Sequence, residues 1–338
     1  MSFEERYSRQ ILFSGIGVQG QRRLAESCVV IVGCGATGSI MAGLLARAGV
    51  GRLRLVDRDY VEASNLQRQA LFDEADAAAS LPKAVAAARK LAAFNSEIAV
   101  EPQVADLTPE NIAPLLRGAQ LLLDGTDNFE TRYLLNDFAV QQALPWIYCA
   151  AVGSYGSTMN ILPGETACLA CLFPEPPQGP LETCETAGVL GPAVSLIAAV
   201  ATGEALKLLV GARALLRRTL LSWDLWNSQS SAIQAGGPRT DCRACAHRDF
   251  VHLAGEGRPH ITLCGRNSVQ IHERGRPLDF ALLSERLKPH GDVLHNEFVL
   301  KFWHQPYEFT LFPDGRAIIK GTSDTGLARS LYARYIGS

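Results

Sequence analysis

Three sets of residues in this 338-residue chain have the types and spacing to do chemistry. The first is a glycine turn, Gly33-Cys34-Gly35-Ala36-Thr37-Gly38, between the apolar run Val29–Val32 and an apolar-periodic segment from Ser39 to Ala48. The spacing G-x-G-x-x-G suits a nucleotide. One glycine allows the tight turn, one lets backbone approach phosphate, and one lets helix and strand pack closely. Asp57 ends the next apolar run, nineteen residues after Gly38, where a carboxylate can accept hydrogen bonds from ribose hydroxyls. The second set is charged: Arg58, Asp59, Arg68 and Lys83 follow, and Asp127 lies beyond them. NAD, FAD and ATP sites all use the glycine turn, and the cations separate them. A dinucleotide dehydrogenase has no need of several fixed cations beside the ribose. A triphosphate attacked at its α-phosphate needs them to offset developing charge. The third set is sulfur: Cys168-Leu169-Ala170-Cys171 and Cys242-Arg243-Ala244-Cys245, seventy-four residues apart. Each pair can place two thiolates on one metal, and four close a tetrahedral Zn²⁺ shell. A redox pair is the alternative for one C-x-x-C alone.

The elements that must position these residues can be read from pattern. Val29–Val32 and Leu53–Val56 are strands, with a helix between them. Pro82 to Asn95 is alanine-rich with apolar residues at helical intervals, so Lys83 falls in a first helical turn. The macrodipole disfavours a cation there, which points to a ligand. Leu121–Asp124 is a short, wholly apolar strand of the kind covered on both faces. The loop after it, Gly125 to Asn128, sits where open α/β sheets bind ligands. Asp127 in that loop is either the cap of a helix over Phe129–Gln142 or a hard oxygen ligand suited to Mg²⁺. Trp146–Val152 is a further buried strand, and Gly153 to Leu162 returns as a hairpin. The expected fold is α/β, a Rossmann-like doubly wound, mainly parallel sheet.

Composition sets the bounds. Hydrophobic residues at 47% and charged residues at 20% are ordinary globular values, and a formal charge of −2 leaves no electrostatic footprint for nucleic acid. Met1 to Arg6 lacks a basic-then-apolar export signal, so a cytoplasmic protein with no membrane partner is expected. The longest apolar region, Gly191 to Gly211, contains Glu204 and Lys207 and reads as a buried helix. Nine cysteines without an export signal argue for thiols, metal ligation or catalysis over disulfides.

Taken in order, Arg6-Tyr7-Ser8-Arg9-Gln10-Ile11, the glycine turn, Asp57-Arg58-Asp59, Ser64-Asn65-Leu66-Gln67-Arg68-Gln69, Lys83, Asp124-Gly125-Thr126-Asp127-Asn128 and the two cysteine pairs resemble the ThiF/MoeB/HesA family, bacterial relatives of the ubiquitin-activating enzymes. The resemblance runs to about residue 247 and implies an E1-like adenylation domain over residues 1–248. It implies an adenylyltransferase that uses ATP and Mg²⁺ to activate the terminal glycine of a ubiquitin-like sulfur-carrier protein ending in Gly-Gly, with a sulfur donor protein as a further partner. Gly33, Gly35, Ala36 and Gly38 would shape the nucleotide pocket, with Asp57 and Asp59 near the ribose. Ser64, Asn65, Leu66, Gln67, Arg68 and Lys83 would line the phosphates, and Asp127, next to Asn128, would carry Mg²⁺. Arg9 would reach the phosphates of a neighbouring subunit, which implies a homodimer. The family spacing of Cys168, Cys171, Cys242 and Cys245 implies structural zinc. Cys184, in Thr183-Cys184-Glu185-Thr186-Ala187-Gly188-Val189, matches the cysteine that in some members links to the carrier's sulfur-bearing terminus. Ala36-Thr37 departs from the family, which often has a glycine there, and the added methyl narrows the approach to nucleotide.

Beyond His247 the chain becomes irregular to Pro259 and then carries candidate strands near 261–264, 269–272, 297–303, 308–311 and 317–320. With helices over Phe280–Leu287 and Thr325–Tyr335, residues 249–338 read as a small α+β domain for docking a partner or stabilising the protein. Two rivals remain. A nicotinamide oxidoreductase would leave Arg68, Lys83 and Asp127 without purpose, and a non-catalytic scaffold should have lost some of these groups. The carrier's pathway, whether thiamin, molybdopterin or tRNA thiolation, is not written in the residues.

Overall fold

Strand β1 (Cys28–Val32) sends alternate side chains into two different cores. Val29 and Ile31 pack with the helices Ala36–Ala48, Lys83–Phe94 and Gly191–Leu209, while Val30 and Val32 pack with the helix Phe129–Gln142. A strand covered on both faces must be apolar throughout, which is why its sequence shows no alternation. This is the centre of the first of two compact units, Met1–Glu256 and Gly257–Ser338, in a computed structural model that describes residues 3–175, 186–255, 262–263, 267–271 and 277–337.

Beside β1 lie β2 (Arg52–Asp57), β3 (Ala99–Val104), β4 (Leu121–Asp124) and β5 (Trp146–Val152), all parallel to it. Then β6 (Tyr155–Ile161), β7 (Thr219–Asp224) and β8 (Gln229–Gln234) add antiparallel, giving the order β3-β2-β1-β4-β5-β6-β7-β8. The chain runs outward from β1 through β2 to β3, then crosses back to β4 on the other side of β1. That reversal opens a crevice at the carboxyl ends of β1 and β4, where open sheets take ligands. The doubly wound, mainly parallel expectation therefore holds.

The N-terminal region is three short helices, Phe3–Arg6, Ser8–Leu12 and Gly17–Glu26. The break at Tyr7 separates Arg6 from Arg9: Arg6 Nη1 donates to the Phe94 carbonyl at 3.3 Å, and Arg9 stands exposed. Gly191–Leu209 is long and apolar enough to cross a membrane by composition, yet it packs on β5, β6 and the Ala36–Ala48 helix. Its buried Glu204 accepts hydrogen bonds from Asn160 Nδ2 at 2.5 Å and Arg217 N at 2.9 Å. A core helix of this unit accounts for it.

In the second unit, β9 (Thr262–Leu263), β10 (Ser268–Ile271), β11 (Asp292–His295), β12 (Leu300–His304), β13 (Tyr307–Leu311) and β14 (Ala317–Lys320) pair antiparallel in the order β11-β12-β13-β14-β10-β9 among the described residues. Helices Phe280–Leu287 and Thr325–Tyr335, capped by Asp279 and Asp324, close a core around Phe302, Phe309 and Ile319. The expected α+β content is there, with β11 as an addition, since Asp292-Val293-Leu294-His295 has neither an apolar run nor an alternation long enough to mark it.

Candidate functional site

The glycine turn is an interlock of three backbones. A Cβ placed on Gly38 would lie 1.9 Å from the Gly33 carbonyl oxygen, and one on Gly125 would lie 2.2 Å from the same atom. One on Gly33, whose φ is +88°, would meet the Gly125 carbonyl oxygen at 2.5 Å. The end of β1, the start of the next helix and the loop after β4 therefore touch without side chains between them. Gly35 differs: the nearest atom to its absent Cβ is Gln69 Nε2 at 3.8 Å. It is the glycine of the turn that leaves room for something other than protein. The helix that starts at Ala36, three residues earlier than the periodicity suggests, has no side-chain cap at Gly35, so its first N–H groups are available to an anion.

Asp57, at the end of β2, closes one wall. Its Oδ2 accepts from Cys34 N at 2.6 Å and its Oδ1 from Asp59 N at 2.7 Å, which fixes the carboxylate beside the turn and leaves a further lone pair on each oxygen. Burial pushes this carboxyl up to about 6, with the Asp59 charge adding to it and Lys83 opposing. Lys83 is almost wholly buried and its Nζ lies 3.0 Å from Asp59 Oδ2, while its backbone N donates to the Asp59 carbonyl at 2.8 Å. Burial alone would lower the ammonium, but Asp59, Asp57 and Asp127 outweigh it and hold it well above its ordinary value. It stays a cation across the working range. Arg58 is held by Asp106 at 3.0 Å.

The third wall is the loop Gly125 to Asn128. The cap of the following helix is Asn128, whose Oδ1 accepts from Thr131 N at 2.9 Å. Asp127 is thus released from the capping role that its position allowed, and it stands exposed with its charge acting on Lys83 and Arg58. Arg132, in the first turn of that helix, is buried against Asp124 at 2.9 Å. Below the crevice, Asn65 is buried in the short helix Ala63–Asn65, and Arg68 Nη1 folds back to the Ser64 carbonyl at 2.8 Å. Leu66 is half-buried and Ser64 and Gln67 are exposed along the same turn. Gln69 belongs to the site as well: it is buried beside Gly35 with its Oε1 unpartnered. Sequence quoted it within a motif without giving it a role, since a glutamine beside an arginine carries no pattern of its own.

Arg9 is not brought to this crevice. Its neighbours are docked at the far end of the Ala36–Ala48 helix, where Gln10 Nε2 donates to the Ala48 carbonyl at 2.8 Å and the Tyr7 ring fills the space beside Gly49. Thirteen helical residues separate that end from the glycine turn, about 20 Å at the usual rise. Cys184 lies outside the described residues.

The four cysteines do come together. The Sγ atoms of Cys168, Cys171, Cys242 and Cys245 all lie within 4.8 Å of one another, with separations of 3.7 Å for Cys168–Cys171, 3.6 Å for Cys168–Cys242 and 3.2 Å for Cys171–Cys245. Zinc–sulfur bonds in a tetrahedron imply roughly 3.8 Å between sulfurs, so the donor set fits such an ion. Asn136 Nδ2 lies 3.7 Å from Cys168 Sγ and Arg239 N 3.5 Å from Cys171 Sγ, outer hydrogen bonds of the kind that orient thiolates. Arg243, inside the second pair, forms a two-pronged contact with buried Asp137 at 3.0 and 3.1 Å.

Residues 7–244 match the model of the ThiF family. The chain is 44% identical over 336 residues to the sulfur carrier protein ThiS adenylyltransferase of Bacillus subtilis, covering 98% of this chain and 99% of that one. It is 39% identical over 226 residues to a sulfur carrier protein adenylyltransferase of Thermus thermophilus, covering 65% and 83%. It is 37% identical to the adenylyltransferase and sulfurtransferase MOCS3 of Sus scrofa, of which it spans 64%. A crystal structure of E. coli MccB with MccA-N7isoASN shares the fold at a TM-score of 0.64 and 24% identity, covering 73% of this chain and 75% of that one.

The contrast among glycines is measurable. Gly38→Ala should destabilise the first unit by about 3 kcal/mol because backbone has to move. Gly35→Ala should cost under about 1 kcal/mol. Urea unfolding of the two variants checks this, and equal losses would sink the interlock.

Proposed function

The chain belongs to the ThiF family, and from that premise we propose that it adenylates the carboxyl-terminal glycine of a ubiquitin-like sulfur-carrier protein, using ATP and releasing pyrophosphate. The observation that carries the reading is the convergence at one crevice of the open wall at Gly35, the fixed carboxylate of Asp57, the permanently charged Lys83 and the exposed Asp127. A nicotinamide site would use the first two and leave the others idle.

In this reading the ribose hydroxyls donate to the free lone pairs of Asp57, and the phosphates lie over Gly35 and the uncapped helix start. Asn65, Arg68 and Lys83 draw charge from the β- and γ-phosphates. The carrier carboxylate forms a bond to the α-phosphorus as the bond to the bridging oxygen breaks, and pyrophosphate leaves with the electron pair. Lys83, already desolvated, stabilises that charge without reorganising. Asp127 would hold Mg²⁺, which when bound neutralises phosphate oxygens. The subunit's own Arg9 is a helix length away, and Leu12, Phe13 and Val18 stand exposed beside it. Both facts support a homodimer in which Arg9 serves the neighbouring site. Cys168, Cys171, Cys242 and Cys245 would hold zinc as a closed structural centre with no open coordination position. Cys184 remains the proposed nucleophile for later sulfur transfer, and residues 249–338 the proposed docking domain.

ATP–pyrophosphate exchange with each candidate carrier tests the reaction. Exchange that requires the terminal glycine supports it and names the partner, and absence with thiamin-type and molybdopterin-type carriers alike removes the adenylation reading. Asp127→Ala should abolish exchange with zinc content unchanged; an active variant overturns the magnesium assignment. A chelator that strips the metal should lower the melting temperature of the first unit, because two segments seventy-four residues apart lose their common anchor; an unchanged melting curve with metal removed would refute a structural centre. Acidification should weaken ATP binding as Asp57 protonates below about 6. Its raised value means that the ionised form costs folding stability as pH rises through that value, and the same ionisation creates the acceptor that ribose needs. Calorimetric titration should show the affinity gap between wild type and Asp57→Asn narrowing from neutral pH to pH ~5, and a constant gap would argue against the ribose contact.

A further inference from the structure

Arg132 does something more specific than neutralise a buried aspartate. Its Nε donates to Asp124 Oδ2 at 2.9 Å and its Nη2 to the Thr126 carbonyl at 2.6 Å, so one planar guanidinium spans both ends of the turn after β4. The other oxygen of Asp124 accepts from Thr126 N at 2.9 Å and Thr126 Oγ1 at 2.6 Å. Gly125 N donates to the Val32 carbonyl at 2.7 Å. Every residue flanking Asp127 is therefore tied down: Gly125 to β1, Thr126 to Asp124 and Arg132, and Asn128 to its helix through Thr131 N. Asp127 is the exposed member of the turn. The guanidinium is itself fixed, 5.4 Å from the Phe129 ring centroid and 5.2 Å from that of Tyr148. Its fork geometry is what lets one side chain hold a carboxylate and a carbonyl at once, and a lysine cannot copy it.

We infer that Arg132 is a positioning residue for adenylation, acting through the Asp124–Thr126 turn to hold the Asp127 carboxylate at the place where the nucleotide-bound divalent cation must be met. The inference rests on the adenylation reading. Arg132 is buried and its charge is balanced by Asp124, so its loss is felt as misplacement of a neighbour and not as a missing contact. Misplacement of that kind acts on the reacting geometry. The ribose and phosphate contacts made by Asp57, Arg68 and Lys83 are left in place.

The test is Arg132→Lys, which keeps the charge opposite Asp124 and gives up the fork. The expected result is a fall of about tenfold in kcat for carrier-dependent exchange with KM for ATP within about twofold. Mn²⁺ affinity of the protein–ATP complex, read by electron paramagnetic resonance and so independent of turnover, should fall by at least about threefold. Thr126→Val, which removes one hydroxyl bond to Asp124 without touching a charge, should shift Mn²⁺ affinity in the same direction and covers the case in which Arg132→Lys fails to fold. A folded Arg132→Lys protein with lower melting temperature but unchanged Mn²⁺ affinity and kcat overturns the inference, since a purely structural arginine behaves that way. Wild-type protein that shows no exchange with any carrier refutes the adenylation reading instead, and the Mn²⁺ comparison still decides what Arg132 does.

Discussion

A charge taken out of water has to be neutralised where it sits, and the crevice of this protein is built around that requirement. Lys83, Asp57, Asp124 and Arg132 are all nearly or wholly removed from solvent, a combination that would unfold the site if any were left alone. Each has been given its partner by a different element. Asp59 and the N-terminal end of the Lys83–Phe94 helix close on one another, the backbone N–H groups of Cys34 and Asp59 converge on Asp57, and the helix after β4 returns Arg132 to Asp124. The arrangement stands ready before any nucleotide arrives. A phosphate entering it would meet an ammonium already largely removed from water and held by Asp59.

Much of this was legible because the chemistry is written in short segments. The strand–glycine–helix pattern, the acid after β2 and the run Leu121–Asp124 each combine a local period with a residue whose side chain has one obvious use, and they fall at the ends of strands that the topology gathers. The charged partners were less legible. Nothing in the spacing distinguishes Asp127 from Asn128 as a helix cap, because both side chains can accept from the N–H three residues on. The choice is made by the path of the backbone. The burial of Arg132 was not legible either, since a partner supplied by a preceding strand is not visible along a helix. Strand β3 was missed for a related reason: Glu101 and Pro102 interrupt its apolar residues, and an edge strand tolerates a proline that a central one would not. The strands β7 and β8 are half-exposed or exposed except at buried Asp224, and so lack the apolar run that marked β1 and β4.

The helix Phe129–Gln142 links the two candidate sites. Its first residues and Arg132 hold the loop that carries Asp127, one turn later Asn136 meets Cys168, and Asp137 grips Arg243 inside the second cysteine pair. Tyr133 between them donates to the Phe173 carbonyl at 2.6 Å. A closed metal centre is usually credited with stability alone. Here the cysteine loops lean on the same helix as the loop that carries Asp127, so a metal held by the four sulfurs would also steady the candidate nucleotide site.

The glycine interlock has a consequence for how this sequence can change. Because Gly33, Gly38 and Gly125 occupy one another's side-chain space, the first replacement among them carries most of the cost of separating the three backbones and a second adds less to a gap already opened, except that Gly33, at φ +88°, adds backbone strain of its own. Their effects are therefore not additive, and the three positions behave as a single heritable character. A lineage can keep all of them or rebuild the junction entirely, but it has no gradual route between. Gly35, whose missing side chain borders open space, is free of that bond and can drift with the ligand it faces.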